Sequence, residues 1–394
     1  MKKTYLAITL AFLLVPAVVL GQTTIGTSDA NVVLYGQLDV LIDTVHFAAE
    51  PAQAPAGPGP GKPANSGQND HYLSSDISYW GIRGTEELGG GMHAYFKLES
   101  GFFINNGETQ ATQGGATPIF NRESYVGLGS DWGSIQAGSQ WSPSLFVQVK
   151  SDPFQRHSDG SGITLTQQTP GNIRGFLGWT PVSNAVEYIS PNLGGFSGRA
   201  LYAFSNSTDG LSGLNQFAAA SLEYAAGPLY LGLSYEDDHT VAPGPIVPAS
   251  TSTDKTFGLG ASYDFQFVKL FGFVMKNTLA VPAGARPAPG VLAFNTGLNV
   301  PIGNGKIEAA YGHEKMADTI GGNANFYSIG YIYNLSKRTY LYASTAAIKN
   351  GSASHYALWP TDQIYAPPTV AGGAGLPGMG QNLTDLQIGL HHNF

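Results

Sequence analysis

The chain of 394 residues contains no cysteine. Disulfide staples and thiolate metal sites are thereby excluded, and an exported chain of this kind must be held by strand pairing. Charge is scarce as well: Asp, Glu, Lys and Arg make up 12 % of the residues, about half the usual quarter. Beyond the first 21 residues no apolar run reaches the ~20 residues a membrane helix needs. No long stretch carries the 3.6-residue period of an amphipathic helix. Catalytic signatures are missing too: there is no G-x-S-x-G, no H-E-x-x-H and no phosphate-binding loop. "GFSG" (195–198) is one residue short of a nucleophile elbow and reads as the end of a tight turn. His391 and His392 are adjacent, so on a strand they face opposite sides and cannot share one metal. The nine histidines show no ligand spacing. No catalytic residue, metal or cofactor is therefore expected.

What is present begins with "MKKTYLAITLAFLLVPAVVLG". Two lysines, an apolar run and small residues near Gly21 form the pattern of a secretory signal peptide, residues 1–21, cut before Gln22. A membrane anchor is the rival reading, but the run is short and no stop-transfer charge follows it. Removing Lys2 and Lys3 from the 19 basic residues leaves 17 against 27 acidic ones, a net charge of −10. An acidic chain argues against nucleic acid as a partner, which calls for a basic face. The 52 glycines, 20 tyrosines and 20 phenylalanines, with so little charge, suit a β-protein whose outer face is not wetted.

Period-two alternation runs almost throughout. In "LYLGLSY", Leu229, Leu231, Leu233 and Tyr235 share one face; in "FYSIGYIYNL", Tyr327, Ile329, Tyr331 and Tyr333 do. Breaks between strands alternate in size. Tight ones are "ELGGG" (87–91), "SDWG" (130–133), "AGP" (226–228), "PIGNG" (301–305) and "SKR" (336–338). Long ones span 48–72, 107–118, 143–183, 238–254, 281–289, 317–324 and 351–382, the first and last rich in Pro, Gly and Ala. Short turns on one side and long loops on the other define an up-and-down meander. The strands between them fall at 31–47, 73–86, 92–106, 119–130, 134–142, 184–191, 197–207, 215–226, 229–237, 255–265, 267–280, 290–301, 305–316, 325–335, 339–350 and 383–394. That is sixteen strands of roughly ten residues, the length a tilted strand needs to cross a bilayer.

The chain ends "TDLQIGLHHNF", an alternating strand with a bare aromatic last. In hydrocarbon every backbone N–H and C=O must be satisfied, so a spanning sheet must close on itself. The last strand therefore pairs with the first, around 31–47, with Phe394 at the membrane edge where aromatic girdles belong. The fold class expected is all-β: a transmembrane 16-stranded antiparallel β-barrel, residues 22–394 as a single domain, with long extracellular loops and short periplasmic turns. A soluble β-sandwich or propeller would also alternate, but it would carry more surface charge and have no need of alternating short and long connections.

Five segments carry a family likeness. "NVVLYGQLDV" (31–40), "GIRGTEELGGGMHAYFKLESGFFINNGE" (81–108), "FNRESYVGLGSDWGSIQAGSQW" (120–141), "NLSKRTYLYA" (334–343) and "GLHHNF" (389–394) resemble, in order, hallmark segments of the general diffusion porins of Gram-negative bacteria, in the β-proteobacterial branch. The resemblance implies a homotrimer of sixteen-stranded barrels in the lipid bilayer of the outer membrane, inserted by the outer-membrane assembly machinery through the C-terminal strand. It also implies a water-filled pore narrowed by the third long loop, here 143–183.

In that family, acids on the inward loop face a ladder of arginines on the wall. The loop acids here are Asp152 and Asp159; its bases are Lys150, Arg156 and Arg174. Arg122 matches one rung and Arg83 a basic position nearby. Tyr79 and Pro181 stand where arginines are frequent, and Gln37 where some members have Lys. Each charge also has a plainer reading: Asp152 and Asp159 as exposed loop acids, with Lys150 and Arg156 pairing to them inside the loop. Lys97 and Glu99 are inward by parity, as lumen charges or as an ion pair across the wall. An arginine in a barrel strand can scarcely face lipid, at ~2–4 kcal/mol, which favours a lumenal Arg122. Tyr79 shares inward parity with Arg83, and Trp141 reads as a packing residue.

The leading reading is a non-enzymatic channel for small hydrophilic solutes and ions, tilted towards cations by the lost basic rungs. The alternatives are a structural or adhesive barrel with partner-binding loops, and a substrate-selective porin. Polar inward positions such as Gln37, Lys97, Glu308 and Gln387 favour a wet interior.

Overall fold

The structure, a computed structural model, describes residues 23–25, 30–49, 68–110, 117–166, 181–204, 214–241, 251–280, 290–317, 319, 321–358, 377 and 379–394. The expected signal peptide, Arg174 and most of the 48–72 and 351–382 connections lie outside the described residues.

The strands are β1 (Thr23–Ile25), β2 (Ala30–Phe47), β3 (Gln68–Ser75), β4 (Ser78–Gly89), β5 (Met92–Phe102), β6 (Glu123–Ser130), β7 (Gly133–Gln140), β8 (Val182–Ile189), β9 (Phe196–Ala203), β10 (Leu214–Ala226), β11 (Leu229–Val241), β12 (Thr251–Asp264), β13 (Lys269–Ala280), β14 (Val291–Ile302), β15 (Gly305–Met316), β16 (Asn323–Asn334), β17 (Thr339–Asn350) and β18 (Leu383–Asn393). From β4 onward each pairs antiparallel with the next, and β18 returns to β2 with Ile388 opposite Ile42. β3 and β4 both pair with β2 and are halves of one wall strand, interrupted at Asp76 and Ile77. β1 adds three residues against β2, Thr23 opposite Leu34. Setting β1 aside and joining β3 to β4 leaves a closed barrel of sixteen antiparallel strands. No helix among the described residues is long and apolar enough to cross a membrane.

Alternation decides which face is which. Along β18, Leu386, Ile388 and Leu390 are exposed on the outside, while Asp385, Gln387 and His391 are buried. The same holds on β11, with Leu231, Leu233 and Tyr235 out and Ser234 and Glu236 in. A water-soluble sheet would reverse this, so the wall is built to stand in oil. Aromatics gather at the tight-turn end of β12 and β13: the Tyr263 and Phe265 rings lie 4.5 Å apart and Phe265 and Phe267 6.1 Å apart. The "ELGGG" turn works because Gly89, Gly90 and Gly91 all take positive φ, which side chains with a Cβ rarely adopt.

The C-terminus closes the ring. Phe394 N–H donates to Gly36 O at 3.0 Å, and Gly36 N–H to Phe394 O at 3.3 Å. The Phe394 ring covers Gly36 so closely that a Cβ there would meet Cζ at 2.6 Å.

Three details differ from the sequence reading. The second wall strand is broken rather than continuous. β11 and β12 reach Val241 and Thr251, well into the expected 238–254 loop. The 143–183 loop also holds two helical turns, α1 (Pro143–Lys150) and α2 (Ile163–Thr166). Both are too short to show a period. α1 forms because Ser142 caps it, accepting from Ser144 N–H at 3.4 Å, with Pro143 starting the first turn.

Candidate functional site: a pore constriction

The site assembles on the inner face of β4, β5 and β6. Cross-strand register puts Arg83 opposite Lys97, Gly81 opposite Glu99 and Glu99 opposite Glu123. Because these positions all point inward, their charges must find one another. Lys97 Nζ lies 2.8 Å from Glu99 Oε2 and also contacts Glu123; Arg122 Nε donates to Glu99 Oε1 at 2.8 Å; Tyr35 Oη donates to Glu99 Oε2 at 3.0 Å. Lys97 and Glu99 are thus members of a four-charge network, buried to 8 % and 2 % exposure.

The cations are also stacked on rings. The Arg122 guanidinium sits 4.4 Å from the Tyr79 centroid and 5.3 Å from Trp141, while Arg156, from the loop, lies 5.1 Å from the same Trp141. Arg83 lies 5.0 Å from the Tyr35 ring. Trp141 does pack, as expected, but between two guanidiniums. Cation–π contact at such spacing holds a charge while leaving its N–H edges open. Burial, then the charge of Arg122, lowers the pKa of Arg156 to about 9, which leaves it charged at neutral pH.

Opposite this cluster the loop lies flat on the wall. Val147 of α1 rests on Gly232 and Gly260, where a Cβ would come within 2.8 and 3.0 Å of it; Pro153 rests on Gly297. These close approaches give the inward glycines a packing reason. Polar ties continue the line. Asn299 Nδ2 donates to Pro153 O at 3.0 Å, His157 Nε2 meets Glu308 Oε2 at 2.9 Å, and Ser158 N–H donates to Asp76 Oδ2 at 2.9 Å. Gln155, Arg156 and Ser158 hold positive φ, the backbone strain typical of functional turns.

Asp152 and Asp159 sit on this loop but not as exposed charges; each is 1 % exposed. Asp152 accepts from Arg156 N–H (3.1 Å), Ser161 Oγ (2.9 Å), Gly162 N–H (3.2 Å) and Asn295 Nδ2 (2.9 Å). Burial pushes its pKa up to about 6 against those four donors. Asp159 lies beside Asp43 and Asp385 at the β18–β2 seam. Nor does Lys150 pair within the loop: it reaches Glu223 on β10 at 2.6 Å. The structure therefore brings Tyr79, Arg83, Lys97, Glu99 and Arg122 together, and places Asp152 and Asp159 against other stretches of the wall. Sequence reasoning missed Tyr35, Glu123 and Asp76. Inward parity could have found the first two; Asp76 follows only from the break in its strand.

A closed barrel with an oil-facing exterior, a charged interior and a loop folded into its bore defines a passive outer-membrane channel. A family model described as Gram-negative porin matches residues 7–353, and the chain belongs to that family. It is 30 % identical over 392 residues to an outer membrane porin protein of Bordetella pertussis, covering 89 % of this chain and 95 % of the relative. It is 29 % identical over 335 residues to outer membrane porin protein 32 of Delftia acidovorans, covering 81 % and 85 %. Among solved structures it superposes on an anion-selective porin from Comamonas acidovorans with TM-score 0.75 and 26 % identity, covering 93 % of this chain and all of that one. The chain is an outer-membrane diffusion channel and not an enzyme.

Proposed function

We propose that the bore passes small hydrophilic solutes and ions past the constriction of Arg83, Arg122 and Arg156, with a weak preference for cations. The observation that carries the preference is the interior charge. Among the described residues fourteen buried acidic side chains stand against two buried permanent cations, Lys97 and Arg156, and eleven remain when the convergent Asp43, Asp159 and Asp385 are set aside. The partly exposed Arg83, Arg122, Lys150, Arg199 and Lys306 narrow the excess without reversing it. Fixed charge of one sign lining a water-filled bore raises the local concentration of the opposite ion, and here the acid excess of the whole wall acts against the arginines at the constriction. The Comamonas porin is anion-selective. Here Tyr79 and Pro181 stand where the family resemblance implies further basic rungs, and the expected sign is opposite. The test is the zero-current potential of single channels across a tenfold KCl gradient; a value of the sign for chloride preference would overturn it.

The arginine–aromatic stack favours a second reading within the same class, selectivity for flat organic anions. Asymmetric block of KCl current by benzoate, absent with acetate, would support it. A homotrimer is the proposed assembly, since an outer membrane protein of Vibrio cholerae with the same fold was solved in trimer form; native mass spectrometry in detergent reads it directly. Export through residues 1–21 and insertion through the Phe394 strand complete the proposal.

A further inference from the structure

Where the loop meets the closing seam, three carboxylates converge from three elements. Asp43 on β2 faces Gln387 on β18 in register, and Asp385 lies two residues along the same inner face. The loop is brought to them by Asp159 N–H, which donates to Gln387 Oε1 at 3.0 Å. One oxygen from each of Asp43, Asp159 and Asp385 lies within 4.8 Å of the other two. The residues are 0, 1 and 2 % exposed.

What distinguishes these acids is that they converge on one another and, among the described residues, no cationic side chain pairs with them. All six of their carboxylate oxygens are buried and without a hydrogen-bond partner. Other buried acids are matched: Glu99 by Lys97 and Arg122, Glu187 by Arg199, Glu308 by Lys306 and His157, Asp39 by His391. Among the described buried carboxylates only these three have neither oxygen engaged. Asp76 adds to the deficit from the strand break. Its Oδ2 takes the Ser158 N–H, its Oδ1 is buried and unpartnered, and its charge bears on Asp159. Three buried carboxyl groups brought together without a cationic side chain need either shared protons or a bound cation between them.

The geometry points to a divalent cation of the calcium class held by Asp43, Asp159 and Asp385, bridging the constriction loop to the barrel seam. The donors are all hard carboxylate oxygens, with no sulfur or imidazole to favour zinc or copper. Calcium takes six to eight oxygens at about 2.3–2.6 Å, so oxygens on adjacent coordination positions of one ion lie roughly 3.3–3.7 Å apart, a spacing that three atoms within 4.8 Å of one another can reach. Magnesium, at about 2.0–2.1 Å and reluctant to shed water, fits a buried site of three converging side chains less well. The cation would offset the triad's charge and fasten the loop where two distant strands join.

The experiment uses the full-length protein refolded in detergent, dialysed against millimolar calcium chloride and then washed. Calcium is measured by elemental analysis and by competition with terbium luminescence. About one ion per chain is expected in excess of that bound by Asp159→Asn, a loop substitution that leaves the wall ladders intact; Asp385→Asn should lose the same ion. Chelation should lower the unfolding temperature of the parent and leave that of Asp159→Asn unchanged. Equal calcium in parent and both variants, or none in the parent, would overturn the proposal. The second result would mean that shared protons neutralise the triad instead.

Discussion

Asp152→Ala is the sharpest perturbation of the constriction. The carboxylate gathers four donors, three from the loop itself and one from Asn295 on β14. Truncation leaves all four facing a void. If entering water and relaxation satisfy two of them, two orphaned donors remain at about 1–3 kcal/mol each, a loss of roughly 2–6 kcal/mol. The loss is local, because every wall strand keeps its ladder. At about 1.4 kcal/mol per tenfold change, it raises the population of the detached loop by one to four orders of magnitude. Single-channel recording in a planar bilayer reads this directly: the variant should flicker between conductance levels that the parent holds steady. Asp152→Asn, which keeps the size and one acceptor oxygen, should fall between. A folded, heat-modifiable Asp152→Ala barrel with the conductance and noise of the parent would show that other contacts, and not this carboxylate, hold the loop.

Ile388→Arg places a charge on the oil-facing side of β18, where the native residue is 57 % exposed; unfolding in urea from liposomes should show a loss of about 2–4 kcal/mol, and no loss would mean that this face is not in lipid. The His157 ring pairs with Glu308; burial alone would lower its pKa, but the carboxylate outweighs burial and the net shift is upward. Its contribution is therefore complete below the ordinary histidine range and is lost as pH rises through the raised value. Current noise should grow between neutral and alkaline pH in the parent, and His157→Gln should remove that dependence. Intact mass of protein recovered from outer membranes should correspond to a chain starting at Gln22; retention of residues 1–21 would contradict the export reading.

Much of the wall is legible in sequence because lipid outside and water inside impose opposite chemistries on successive residues. All sixteen strands could be placed from alternation and turn residues. The constriction is harder to read. Asp152 looks like an exposed acid in a Gly/Ser-rich loop, and its burial depends on Asn295, 143 residues away. Asp43, Asp159 and Asp385 are separated by more than a hundred residues each, so no spacing announces them. Trp141 ends a strand like any girdle aromatic, and its place between two arginines follows from the path of the loop. α1 is a single short segment shaped by its cap and by the glycine floor beneath it, neither of which leaves a period.

The contact between Phe394 and Gly36 has a temporal meaning. The segment that seals the ring lies 358 residues along the chain from its partner. Until that ring covers Gly36, the unclosed sheet has two raw margins, each offering unpaired amides to any neighbour. A copy that lacks this strand is therefore a sticky ribbon rather than a smaller pore, and its margins need shelter until they are paired.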